Sequence, residues 1–165
     1  MTQHVFIESQ KFKGKLMYLV FMLLGCILAL FMYADVQQLI LGKPFGGKPA
    51  PNAVLIIATL FLSFLFFALI ATTLETSVTS KGVTFRWGPF QKKAKQFNWS
   101  DIAKAEIVHY GFVGYGLRVT SHGLVYTAGG NTGLKLVLKS GRKIIIGTQK
   151  PEELEEVLAQ LKIES

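Results

Sequence analysis

Two long stretches without a single charged residue constrain this chain more than anything else in it. The first, Leu16–Ala34, reads LMYLVFMLLGCILALFMYA; the second, Ala53–Leu74, reads AVLIIATLFLSFLFFALIATTL. At roughly 1.5 Å per residue the first reaches about 28 Å as a helix, the thickness of a bilayer's hydrocarbon core. The second is long enough to cross with some tilt. Neither carries a polar stripe, as suits helices surrounded by lipid. A chain of 165 residues has no interior able to hide both as core helices. The expectation is a transmembrane hairpin over residues 16–74, with spans 16–34 and 53–74 and a connecting loop 35–52.

The first run is too long for the apolar region of a cleaved signal peptide, and a second span follows it closely, so it reads as an uncleaved anchor. Lysines set the orientation. Lys11, Lys13 and Lys15 precede the first span, and Lys81, Arg86, Lys92, Lys93 and Lys95 follow the second. The loop holds only Lys43 and Lys48, offset by Asp35. Both termini are therefore expected on the cytoplasmic side, with the loop outside. The whole chain has a formal charge of +8. Next to a bilayer, that balance points to anionic lipid rather than nucleic acid, for which there is no basic helix or base-stacking motif. The single cysteine, Cys26, lies in an apolar run and permits neither an intrachain disulfide nor a cysteine-based zinc site.

From Glu75 onward the pattern changes to short apolar runs broken by turn residues. Strands are expected on both sides of Ser80-Lys81-Gly82, near 105–110, at 117–120 and 124–128, and in LKLVL (134–138) and KIIIG (143–147). Lys139-Ser140-Gly141-Arg142 between the last two marks the clearest hairpin. Pro151, with Glu152 and Glu153 behind it, starts a helix whose apolar face is Leu154, Val157, Leu158 and Leu161. About seven strands and then one amphipathic helix give an α+β class: a partly open β-barrel over residues 75–165, capped by the C-terminal helix. Residues 1–15 read as a short cytoplasmic segment.

Three segments carry a family resemblance: Trp99-Ser100-Asp101-Ile102, Gly114-Tyr115-Gly116-Leu117-Arg118, and Ile146-Gly147-Thr148-Gln149-Lys150-Pro151-Glu152-Glu153-Leu154. Together they resemble the bacterial pleckstrin-homology-like domain found in small membrane-anchored proteins. The resemblance covers roughly residues 75–161, and the two preceding spans fit the same layout. It implies a pleckstrin-homology-like barrel on the bacterial inner membrane, and no reaction or ligand.

Candidate chemistry is sparse. Gly111-Phe112-Val113-Gly114-Tyr115-Gly116 looks like a phosphate-cradling loop, but Leu117-Arg118-Val119-Thr120 behind it reads as strand, so the glycines suit a tight turn. His4, His109 and His122 lack metal-ligand spacing, and no cofactor is expected. Asp101, His109 and Ser121 make a triad only on paper, with no nucleophile elbow. Four side chains remain as candidates for binding lipid or another anion. Lys92, Lys93 and Lys95 form the densest basic cluster, and Arg118 lies in a glycine-flanked strand. For Arg118 the favoured alternative is a structural pair with Asp101 or Glu106. The expected function is non-enzymatic: an interaction or scaffolding module at the cytoplasmic membrane face, binding a protein partner, another copy of itself or anionic lipid headgroups. The alternative is an accessory subunit of a membrane enzyme or transporter. A transport path is disfavoured because the spans hold no ionisable residue.

Overall fold

The computed structural model describes residues 4–111, 114–120 and 123–161. The chain divides into two compact units, one running from Lys15 to Ala71 and the other made of the segments on either side of it.

In the helical unit, α1 (Lys15–Asp35) continues through one wider, π-helical turn over Val36–Ile40, and α2 covers Asn52–Ala71. Both helices are long and apolar enough to cross a membrane, and only 11% and 6% of their most apolar stretches are buried. The two hydroxyls of α2 are satisfied locally. Thr59 Oγ1 donates to the Leu55 carbonyl at 3.1 Å and Ser63 Oγ to that of Thr59 at 2.8 Å, so neither hydroxyl needs water. Gly25 faces α2, where a Cβ would make ordinary van der Waals contact with the Phe66 ring at 3.8 Å. Gln38 organises the loop, donating to the Ala50 carbonyl and to Asn52 Oδ1, both at 2.7 Å. The second apolar run was expected to stay helical to Leu74. It stops at Ala71 because Thr73 and Leu74 already belong to a strand, with Leu74 fully buried.

The β unit has nine strands among the described residues, two more than expected. They are β1 (His4–Lys11), β2 (Thr73–Thr79), β3 (Gly82–Gly88), β4 (Lys95–Asn98), β5 (Ile102–His109), β6 (Gly116–Thr120), β7 (Gly123–Thr127), β8 (Thr132–Leu138) and β9 (Lys143–Gly147). The first four form an antiparallel sheet in the order β1-β2-β3-β4, and the rest form a second in the order β5-β8-β9-β7-β6. The expected β8–β9 hairpin is present, with Val137 opposite Lys143. β7 runs parallel to β9, so β9 lies between its hairpin partner and a strand from earlier in the chain.

The two added strands have different causes. β4 is only four residues long, with Phe97 its one half-buried side chain. β1 is a full strand, but its inward positions are Phe6, Glu8 and Gln10, two of them polar, so apolar alternation does not mark it. It pairs with β2 from Lys11 opposite Thr73 to His4 opposite Thr79. The segment expected to stand apart at residues 1–15 thus supplies an edge strand of the β domain, and the helices are an insertion between two hydrogen-bonded neighbours.

The expected partly open barrel is replaced by two separate sheets that do not close. Trp99–Asp101 form a single 3₁₀ turn after β4, and the chain then enters β5, which pairs with β8 rather than with β4. No ladder among the described residues joins the edges β1 and β4 to β5 and β6. One apolar cluster unites the domain: Leu74, Val83 and Phe85 from the first sheet meet Tyr126, Leu134, Leu136 and Ile144 from the second. The helix α3 (Pro151–Gln160) adds Leu154, Val157 and Leu158, with Leu161 packed alongside, as its spacing predicts.

Candidate functional site

β1 is fastened to the far end of the chain by a buried carboxylate. Glu8, only 6% exposed, accepts from Thr148 Oγ1 at 2.7 Å, from the Gln149 backbone N–H at 2.8 Å and from Gln10 Nε2 at 3.1 Å. Gln10 Nε2 also donates to the Gly147 carbonyl at 2.6 Å. Gly147-Thr148-Gln149, part of the third resemblance segment, is therefore the receptor for a strand that precedes both helices. Trp99 of the Trp-Ser-Asp-Ile segment is structural as well, its indole N–H donating to the Thr79 carbonyl at 2.9 Å. A carboxylate held by three donors is satisfied and fixed in place, and it fastens β1 to the segment after β9.

A second constellation gathers where β1 leaves for α1. Phe12 packs edge-on against Tyr115 with ring centroids 5.6 Å apart, and is tilted 60° to Trp87 at 6.0 Å. Tyr115 Oη donates to the Lys13 carbonyl at 3.0 Å. Gly14 follows with φ +128°, and a Cβ there would lie 2.5 Å from Tyr115 Oη, so only glycine fits. Tyr115 belongs to the glycine-rich segment, and the expected strand follows it as β6. Its described residues serve as a turn that grips the strand-to-helix connector. The collar is hidden in the sequence because Phe12 and Tyr115 are about a hundred residues apart and the glycine-rich segment around Tyr115 gives no sign of its partner.

The register of the first sheet places a third element at the same end. Lys11, Thr73 and Gly88 lie side by side on β1, β2 and β3. The chain departs for α1 after the first of these and returns from α2 just before the second. After Gly88 it enters the turn Pro89-Phe90-Gln91-Lys92-Lys93. Gln91 closes that turn: its N–H donates to the Trp87 carbonyl at 2.8 Å, and its Oε1 accepts from the Trp87 N–H at 3.3 Å. Lys92 and Lys93 are exposed, and so is Phe90 at 61%.

The four anion-binding candidates do not come together. Lys92 and Lys93 share this turn. Lys95, at the start of β4, is directed elsewhere: its Nζ donates to Tyr126 Oη at 2.8 Å and lies 5.1 Å from that ring's centroid, tying one sheet to the other. Arg118 is exposed on the edge strand β6 of the second sheet, with its guanidinium against Gly114. Its expected structural partners are out of reach. Glu106 lies on β5 and Asp101 just before it, at the opposite edge of a five-stranded sheet, about 19 Å away at the usual strand spacing. Glu106 is instead bridged by Lys104 and Lys135, each at 2.8 Å. Hydrogen bonds from those two ammoniums hold its carboxyl at about 2, well below the usual carboxylate range.

Other polar residues are likewise engaged in structure. His109 Nδ1 is 2.8 Å from Thr132 Oγ1. Asp101 and His109 lie at opposite ends of β5, about 26 Å apart for an extended strand, so the paper triad is not assembled. Ser121 and His122 fall outside the described residues. No cluster of potential metal ligands occurs among the described residues. A groove of about 340 Å³ runs over the outer face of the first sheet past Ile7, Ser9, Ser77 and Thr84. The Glu75–Arg86 ion pair, 2.8 Å long and solvent-exposed, lines it.

Fold and site together define a class: an α+β domain of two open sheets, interrupted between its first two strands by a pair of apolar helices. The chain belongs to the family of unknown function DUF6141, whose model matches residues 1–162, the helices and both parts of the β domain included. No curated protein and no solved structure matches it.

Proposed function

We propose that this protein is a membrane-anchored interaction module. The two helices form a transmembrane hairpin in the bacterial inner membrane, and the β unit is a pleckstrin-homology-like domain held at the cytoplasmic face. There it binds a protein partner, a second copy of the chain or anionic lipid. The observation that carries the reading is the insertion of the helices between paired strands. Because Lys11 lies opposite Thr73, the chain must leave and re-enter the β domain at one place. Two helices of spanning length, out and back, meet that condition. Lysines at 11, 13 and 15 and at 92 and 93 put the richer positive flank on the domain's side, which favours the cytoplasm. The non-enzymatic part of the reading is supported by how the reactive side chains are used: Glu8, Glu106 and His109 all hold strands and turns in place.

Topology and partnership are tested together in native membranes. Single cysteines placed in the 42–52 loop of a Cys26→Ala chain are expected to react with an impermeant reagent from outside, and a cysteine after residue 161 only once the membrane is opened. Crosslinking through the β domain is expected to capture a partner or a second copy. An externally reactive C-terminus overturns the orientation. Crosslinks made only through the helices favour the accessory-subunit role instead.

A further inference from the structure

Phe90 is the one exposed aromatic ring of the β unit among its described residues. An aromatic side chain gains little by standing in water at a turn tip, and the position of this turn is what gives it meaning. Gly88 lies level with Thr73, two residues after α2 ends, and Thr73 lies level with Lys11, four residues before α1 begins. The 88–93 turn therefore lies at the end of the sheet where the chain leaves for α1 and returns from α2. The turn is also built rather than loose, with Gln91 bonded both ways to the Trp87 backbone. Its tip combines an apolar ring with two ammonium groups, Lys92 and Lys93. This pairing suits the boundary between acyl chains and acidic headgroups: the ring enters, and the lysines stay at phosphate level. The remaining lysines at that end, Lys11, Lys13 and Lys15, repeat the charge, whereas Lys95 is turned back onto Tyr126.

We infer that the 88–93 turn is a second, non-spanning membrane contact, in which Phe90 inserts into the interface and Lys92 and Lys93 bind anionic phospholipid, fixing the tilt of the β domain on the bilayer. The inference rests on the transmembrane reading of the helices and names the lipid class that the basic turn meets.

The test uses the full chain with Cys26→Ala, in nanodiscs of phosphatidylcholine with or without phosphatidylglycerol. Spin labels are placed singly at Phe90→Cys, at Ser80→Cys on the opposite end of the β2–β3 hairpin, and at Phe64→Cys in α2. Relative access to oxygen and to a soluble nickel chelate then reads depth. With phosphatidylglycerol, the label at 90 is expected to report the lipid interface and the label at 80 water. Lys92→Gln with Lys93→Gln is expected to lower the ratio of inserted to uninserted turn on the order of 25-fold, about fivefold per lysine. Should labelling at 90 disturb the domain's tryptophan fluorescence, Phe90→Trp with brominated lipid as quencher replaces it.

An aqueous label at 90 beside a lipid-exposed label at 64 overturns the inference and leaves the anchor standing. Insertion that ignores both phosphatidylglycerol and the lysines overturns the anionic-lipid assignment. A label at 90 shielded from both reagents reveals a protein contact and overturns it as well. An aqueous label at 64 fells the anchor and this inference with it.

Discussion

The helical unit and the β unit solve the same problem, satisfying polar groups while burying or sequestering apolar ones, in opposite ways. In α2 each hydroxyl bonds to a carbonyl four residues back, and the apolar surface faces outward. In the β unit the decisive bonds are long-range: Gln10 to Gly147 across 137 positions and Glu8 to Thr148 across 140. One unit is assembled from local rules, and the other closes only when the two ends of the chain meet. The β unit should therefore be the fragile one, and its weak points should lie at the meeting of its termini rather than at the middle of its strands. Both tryptophans, Trp87 and Trp99, lie in it, so their fluorescence in mild detergent reports its unfolding without contribution from the helices.

The largest effect is expected from Glu8→Ala. It strands the buried Thr148 hydroxyl and removes the acceptor of the part-buried Gln149 N–H, for a loss of about 3 kcal/mol, a large share of a typical domain's stability. Denaturant titration should show an earlier tryptophan transition, and a Glu8→Ala chain with the parent's midpoint would break the contrast between the units. Thr148→Val sharpens it. If the two side chains act as one fastener, the double mutant should fall short of additivity by about 1 kcal/mol. Gln38→Ala, which cuts the equivalent clamp in the helical loop, should leave that transition in place.

The same contrast explains what the sequence makes legible. The two apolar helices are visible because composition alone marks them, and α3 because Leu154, Val157 and Leu158 repeat at helical spacing. The β8–β9 hairpin is visible because its turn and both strands are contiguous. β1 is hidden because its inward residues include Glu8 and Gln10, polar groups whose partners lie at the other end of the chain. The open arrangement of two sheets is hidden for a related reason: strand count and a terminal helix do not say that β9 will sit between β8 and β7. Among the site residues, the exposure of Lys92 and Lys93 follows from a turn that Gly88-Pro89 announces. The inward use of Lys95 does not, since it depends on Tyr126, 31 positions away. The separation of Arg118 from Asp101 and Glu106 is hidden because sequence distance does not reveal that β5 and β6 are opposite edges of one sheet.

A smaller effect separates two glycines with positive φ. Gly14, at φ +128°, is pressed by Tyr115 Oη, whereas Gly46, at φ +81° in the helical loop, has nothing within 4 Å of a would-be Cβ. Gly14→Ala combines backbone strain with loss of the Tyr115–Lys13 hydrogen bond, an expected cost of about 2 kcal/mol. Gly46→Ala meets backbone strain alone, about 1 kcal/mol, and lies in the other unit. Paired unfolding curves check this: the tryptophan transition should move for Gly14→Ala and stay for Gly46→Ala. Equal shifts would mean that the collar is not part of the β unit's closure.

The smallest expected effect is electrostatic and falls on the β unit, where the Lys104–Glu106–Lys135 cluster lies. Glu106 titrates at about 2 in the folded protein against an ordinary 4.5, since Lys104 and Lys135 hold its charged form. A carboxyl lowered on folding stabilises fully above its unfolded value, and the contribution drains away as pH falls from about 5 towards 2. The cluster is partly open to solvent, so screening keeps the gain below about 1 kcal/mol. Glu106→Gln should therefore lower stability slightly at neutral pH and flatten its loss on acidification, with parent and variant converging near pH 2. The comparison is made by denaturant titration at a series of pH values, and two curves running parallel down to pH 2 would show that the lysine pair does no more than solvate the carboxylate as water would.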